Sequence, residues 1–213
     1  EEDGRLLGYV IYHAYDPDSM ELGWVLSPDC WGKGYASRLT DRLVDYANDH
    51  GVELLLLAGD LFDSDNLYGQ TAQELADALG RFHGRVFIAP GNHDFYAAHG
   101  PWGAAAWPEN VHIFTSGRPV CVDEPELGCA VWGAAFTAAE EADGSALTAV
   151  RCPDDGRTHL MVLHADLSAP DSRYRPITPA QIGETGLSYL ALGHTHAFSG
   201  VLHAGRTTFA YPG

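Results

Sequence analysis

Four short, strongly apolar runs each lead into a cluster of potential metal-binding side chains, three of the clusters opening on glycine, and this repetition constrains the fold more than any other feature of the 213 residues. Residues 53–58 (ELLLLA), 85–89 (RVFIA), 159–163 (HLMVL) and 189–192 (YLAL) run into Gly59-Asp60-Leu61-Phe62-Asp63, Gly91-Asn92-His93-Asp94, His164-Ala165-Asp166 and Gly193-His194-Thr195-His196. Further strand-length runs lie at 111–114, 129–132 and 207–211. Such runs alternating with helical patterns are the signature of an α/β protein built from βα units. Residues 71–82 (TAQELADALGRF) put Leu75, Ala78, Leu79 and Phe82 on one face, with Thr71 and Glu74 as a capping box, which predicts a surface helix covering a sheet. The polar stretch 137–158 predicts a helix plus a loop.

In open α/β sheets, ligands gather outside the carboxyl ends of the strands, where all four clusters fall. A single His or Asp at such a place is ordinarily satisfied by a backbone hydrogen bond. Four clusters in succession call for a shared purpose. Carboxylate, amide oxygen and imidazole suit Mn, Fe, Zn or a similar borderline ion rather than a thiolate zinc site. Asp60 has two oxygens with which to bridge two cations. The glycines before Asp60, Asn92 and His194 permit a sharp turn and close approach of backbone to an ion. His194 and His196, at i and i+2 leaving a strand, are expected to project to one side and serve different ions of a pair about 3.5–4 Å apart.

Composition narrows the partners. An apolar content of 46% is ample for a buried core. No apolar run approaches the roughly 20 residues that span a bilayer, and no secretory leader pattern opens the chain, so no membrane partner and a cytoplasmic location are expected. Twelve basic against 29 acidic residues give a net charge of −17, which opposes non-specific affinity for DNA. Cys30, Cys121, Cys129 and Cys152 form no CxxC pair and read as free thiols. The chain opens at Glu1 without Met and stops at Gly213 just after a strand-like run, so both ends read as truncated.

GDLFD, GNHD, LHAD and GHTH, in this order and spacing, resemble the signature blocks of calcineurin-like metallophosphoesterases across residues 41–213. LLLLAGDLFDSDN and the stretch from GNHDFYAAHGPW to WPENVHIF are most similar to SbcD-type DNA-repair exonucleases. The resemblance implies an αββα sandwich, two mixed sheets flanked by helices. It implies that Asp60 bridges two divalent ions, with Mn2+ the expected metal and Fe, Zn or Mg as alternatives. Asn92, His164 and His194 would complete one site and His196 would belong to the other. His93 would act on the phosphoester, stabilising transition-state charge or protonating the leaving oxygen. Asp63 either orients the His93 imidazole or merely caps its turn. The implied reaction is in-line attack on phosphorus by a metal-bridging hydroxide. The implied substrate is a phosphodiester, with DNA as a candidate, and the implied partner is an SbcC-like ATPase.

One expected block is missing. Members of the superfamily open with a strand ending in Asp-x-His, and no histidine here has an Asp two positions before it. Residues 21–36 (ELGWVLSPDCWGKGYA) instead resemble the strand and pyrophosphate loop of GNAT-type N-acetyltransferases, with Gly32, Gly34 and Ala36 fitting the loop and Trp31 departing from it. The expected organisation is therefore a partial GNAT-like segment, 1–40, followed by a phosphoesterase domain, 41–213. Residues 9–13 and 21–26 would form a hairpin and 36–50 a helix, together standing in for the missing first strand and helix. His13 and Asp16 are conceivable substitute ligands. The first metal site is expected to be impaired, leaving three readings: an active phosphoesterase, an inactive remnant, or an acetyl-CoA-dependent transferase.

Overall fold

The computed structural model describes residues 8–16, 19–26, 35–62 and 68–212, and side chains over 37–62 and 69–212. Strands β1 (Gly8–Asp16) and β2 (Ser19–Leu26) form an antiparallel hairpin, followed by helix α1 (Tyr35–Asp49). Next come β3 (Leu54–Leu57), α2 (Tyr68–Gly80), β4 (Arg85–Ile88) and β5 (Val111–Ile113), a three-stranded parallel sheet in the order β3-β4-β5. The chain continues through β6 (Val120–Glu124), β7 (Cys129–Ala134), β8 (Thr158–His164), helix α3 (Pro179–Thr185), β9 (Tyr189–Gly193), β10 (Leu202–Ala204) and β11 (Thr207–Ala210). These strands form a six-stranded sheet ordered β10-β11-β9-β8-β7-β6, parallel in the middle and antiparallel at both edges.

Side-chain alternation along the strands explains the layering. Leu54, Leu56 and Ala58 pack with Phe87, Ala89 and Phe114 against Val131 and Val162, so the two sheets face one another across this core. Leu55 and Leu57 point the other way, toward Val44 and Ala47 of α1 and Ala72 and Leu79 of α2. On the far side of the large sheet, Met161, Leu163, Leu190 and Leu192 bury Ile182 of α3 together with Leu147 and Val150. Helices, sheet, sheet and helix thus follow one another in a mixed α/β arrangement as expected, but of the two sheets expected to be mixed only the larger is; the described strands of the smaller are all parallel.

All seven strand-length apolar runs are strands. The two that periodicity did not signal, β6 and β10, are the edges of the large sheet; three of the five β6 residues are exposed, and β10 has only three residues. Edge strands of this kind carry no continuous apolar run to detect.

Three local expectations are corrected. Helix α2 starts at Tyr68, so Thr71 lies inside it and forms no capping box; Glu74 instead accepts hydrogen bonds from Ser37 Oγ and Gln70 Nε2. The capping box that does form is at α3, where Thr178 and Gln181 bond reciprocally ahead of Pro179. The stretch 137–158 holds only a 3-10 turn, Ala146–Ala149, in place of a helix. The hairpin and helix that were to replace a missing first unit behave differently. Helix α1 covers the small sheet as expected, whereas β1 and β2 make a separate two-stranded sheet and do not pair with β3.

Candidate metal centre

The ends of β3, β4, β8 and β9 converge, and two glycines let them. A Cβ on Gly91 would lie 2.2 Å from Asp60 Oδ1, and a Cβ on Gly193 would lie 1.9 Å from the Ala58 carbonyl oxygen and 2.9 Å from His164 Nδ1. Only glycine permits such approach. Backbone strain gathers at the same place. Among the described residues the non-glycine positive-φ positions are Asp60 (54°), Arg175 (53°) and His194 (105°), two of them anticipated ligands and the third adjacent to His164 through its side chain.

His164, the last residue of β8, is fully buried. Its Nδ1 lies 2.8 Å from the Ala58 carbonyl oxygen, which can only accept, so Nδ1 carries the proton. Nε2 is left with a lone pair, and it points at two further acceptors, Asn92 Oδ1 at 2.9 Å and Asp60 Oδ2 at 3.3 Å. Three acceptors aimed at one another call for a positive charge between them. Asp60 is suited to this as an anion, because its Oδ1 accepts the His93 backbone N–H at 3.0 Å while Oδ2 is left facing the other two acceptors.

His194 follows β9 directly. Its ring stands 5.3 Å from that of His164 and 5.1 Å from that of Tyr174, with Nε2 3.7 Å from Asp166 Oδ2. Burial above all pushes its imidazole down toward the neutral form that a metal requires. The expectation that His194 and His196 project to one side assumes extended backbone, and the φ of 105° at His194 breaks it. His196 is exposed and close enough to His194 to interact electrostatically, but it joins no ligand group. His93 is likewise exposed, beside Asp60. Asp63 lies outside the described residues, and so do the GNAT-like loop residues Trp31, Gly32 and Gly34; the side chains of His13, Asp16 and Ala36 are not described either.

Among the described residues no three of His, Cys, Asp and Glu are arranged to hold a metal ion. The convergent set reaches three donors only through the amide of Asn92. The donor chemistry of Asp60, Asn92 and His164 fits one borderline divalent cation.

Sequence reading missed Asp94. This carboxylate is 1% exposed and accepts backbone N–H groups from Gly91 (2.6 Å), Leu61 (2.7 Å) and Asp60 (3.1 Å), tying the two ligand loops together. Burial, followed by the charge of Asp60, pushes it up to about 6 against the pull of these three donors. Its place in the GNHD block was visible, but its contacts were not. Trp102 Nε1 adds a hydrogen bond to the Asp94 carbonyl.

Over 180 residues, 81% of the chain, the protein is 32% identical to the uncharacterized metallophosphoesterase YhaO of Bacillus subtilis (strain 168). The chain is similar to a metallophosphoesterase. It spans 43% of the length of that relative. A Caenorhabditis elegans protein described as phospholipase B-like 3 is 36% identical over 63 residues, 29% of this chain and 11% of its own. Residues 1–71 match the acetyltransferase (GNAT) family. That match runs past residue 40 through α1 and β3 and includes Asp60. No described helix is long and apolar enough to cross a membrane.

Proposed function

We propose that this chain carries a metal-dependent phosphoesterase centre on Asp60, Asn92 and His164, with His194 at its side. The observation that carries the reading is the convergence of Asp60 Oδ2, Asn92 Oδ1 and the unprotonated Nε2 of His164 with no proton donor among them. The similarity to a protein named as a metallophosphoesterase supports it. Divalent cations bound there supply Lewis acidity and a water acidified toward neutrality. The chain's own residues do the rest. Asp60 offers Oδ2 to the centre while Oδ1 is held by the His93 N–H, fixing the carboxylate plane. The His164 imidazole is locked in one tautomer by Ala58. The exposed His93 imidazole moves a proton to the leaving oxygen of a phosphoester bound over Asp60. The finer reading is a two-ion, manganese-using phosphodiesterase of SbcD type acting on DNA with an SbcC-like ATPase in the cytoplasm, its second site, at His196, weakened by the lack of an Asp-x-His strand.

With Mn2+ added, the protein is expected to hydrolyse a bis-aryl phosphodiester, and Asp60→Ala to abolish this. Retention of activity in Asp60→Ala sinks the reading. A metal-binding protein without turnover is instead the inactive remnant. A gel assay on linear duplex DNA separates nuclease from small-diester activity. The match of residues 1–71 to GNAT acetyltransferases favours one further reading, acetyl-CoA binding by the N-terminal segment. Saturable acetyl-CoA binding in calorimetry supports it, and its absence rules it out.

A further inference from the structure

Arg175 leads the fully buried side chains in volume among the described residues, and no step above uses it. A buried guanidinium is costly to desolvate unless its N–H groups are matched. Here they are matched by the ends of two strands. Nη2 donates to the Ala135 carbonyl at 2.6 Å and pairs with Glu141 Oε2 at 2.5 Å; Nη1 reaches the carbonyls of Ala134 at 3.3 Å and His164 at 3.5 Å. Ala134 closes β7 and His164 closes β8, so one planar group clamps adjacent strands at the candidate centre.

The guanidinium also lies over a ring. Its Cζ is 4.4 Å from the Phe136 centroid, and the Phe136 ring stands edge to face with His164, 5.5 Å away at 88°. Phe136 is tied by its backbone to the Asn92 loop: its N–H donates to Pro90 at 2.9 Å and its carbonyl accepts from Tyr96 at 2.7 Å. The Arg175 backbone, at φ 53°, donates to the Glu141 carbonyl at 2.6 Å and accepts from the Asp166 N–H at 3.2 Å. Glu141 is anchored in turn by Thr137, whose N–H and Oγ1 bond to Oε1.

We propose that Arg175, locked by Glu141, is a positioning residue that sets the His164 imidazole and the Asn92 loop through Phe136, so that Nε2 of His164 meets Asn92 and Asp60. The inference rests on the reading of that cluster as a metal centre. Lysine keeps the charge but has neither the fork that spans several carbonyls nor the flat face that stacks on phenylalanine, so Arg175→Lys is a demanding substitution.

The full chain is compared with Arg175→Lys, Phe136→Leu and Glu141→Gln by two readouts. One is the 15N resonances of the His164 imidazole in metal-free protein, which report its tautomer and the protected Nδ1–H. The other is Mn2+ affinity by calorimetry. Arg175→Lys and Phe136→Leu are expected to lose the single-tautomer signature and to bind Mn2+ about tenfold or more weakly, as loss of an outer-shell partner does. Folded variants with the wild-type imidazole signature and Mn2+ affinity overturn the proposal, since a merely structural role lowers stability alone. If Arg175→Lys fails to fold, Phe136→Leu decides, because it leaves the ion pair whole, with Glu141→Gln as its check. Wild-type protein that binds no Mn2+ defeats the metal reading, while the imidazole signature still decides whether Arg175 and Phe136 position His164.

Discussion

His164 Nε2 and Asn92 Oδ1 stand 2.9 Å apart across 72 residues of sequence, each presenting a lone pair to the other. A cation resolves that opposition and so links metal binding to folding. Saturating Mn2+ is expected to raise the melting temperature of the wild type, by the equivalent of about 2.7 kcal/mol at a hundredfold excess over Kd. His164→Ala and Asn92→Ala should lose most of this gain. Differential scanning calorimetry with and without Mn2+ measures it, and equal gains in the variants argue against the ligand set.

Asp94 organises the centre from below. Asp94→Ala leaves three backbone N–H groups of Gly91, Asp60 and Leu61 without their buried acceptor, at about 1–3 kcal/mol for each group left unsatisfied. A loss of about 2 kcal/mol or more is expected in urea titration. Asp94→Asn, which keeps an acceptor oxygen, should lose less.

Gly193 is a packing requirement. A methyl group there would lie 1.9 Å from the Ala58 carbonyl oxygen and 2.9 Å from His164 Nδ1, so that strand ends must shift to admit it. Gly193→Ala should cost about 1–3 kcal/mol, the usual toll of overpacking, and weaken Mn2+ binding as well. Unchanged stability shows that the strand ends are looser than described.

The sandwich was legible because the central strands are short apolar runs, three of them closed by Gly59, Gly91 or Gly193, a pattern that survives without any tertiary information. The convergence of Asp60, Asn92 and His164 was legible because polar residues that close apolar runs have few other uses; Asp60 and Asn92 each follow a glycine, and His164 ends its run directly. The roles of Asp94 and Arg175 were not, since each depends on contacts with segments 33 to 41 residues away. The direction of His196 was not legible for a local reason, because the positive φ at His194 ends the alternation from which it is read. The small 3-10 turn near residue 147 was overcalled as a helix because Asp143 and Ser145 hydrogen-bond one another instead of capping a longer element.

The cysteines offer a test of packing away from the centre. Burial, and then the neighbouring Cys121, push the Cys152 thiol up to about 11. The thiolate is the reactive form, so raising the pKa slows alkylation at pH 8, where only about a thousandth of the thiol is ionised. The rate of iodoacetamide modification at Cys152, followed by peptide mass spectrometry, should keep climbing as pH rises toward 11. A plateau near pH 8.5, the value of a free cysteine, contradicts the described environment.

Anomalous diffraction from crystals grown with Mn2+ bears most directly on the centre. A peak within coordinating distance of Asp60 Oδ2, Asn92 Oδ1 and His164 Nε2 is expected, and a second, weaker peak toward His196 would add the other ion. Crystals soaked to saturation that show no peak at Asp60, Asn92 and His164 contradict the assignment of a metal-dependent phosphoesterase.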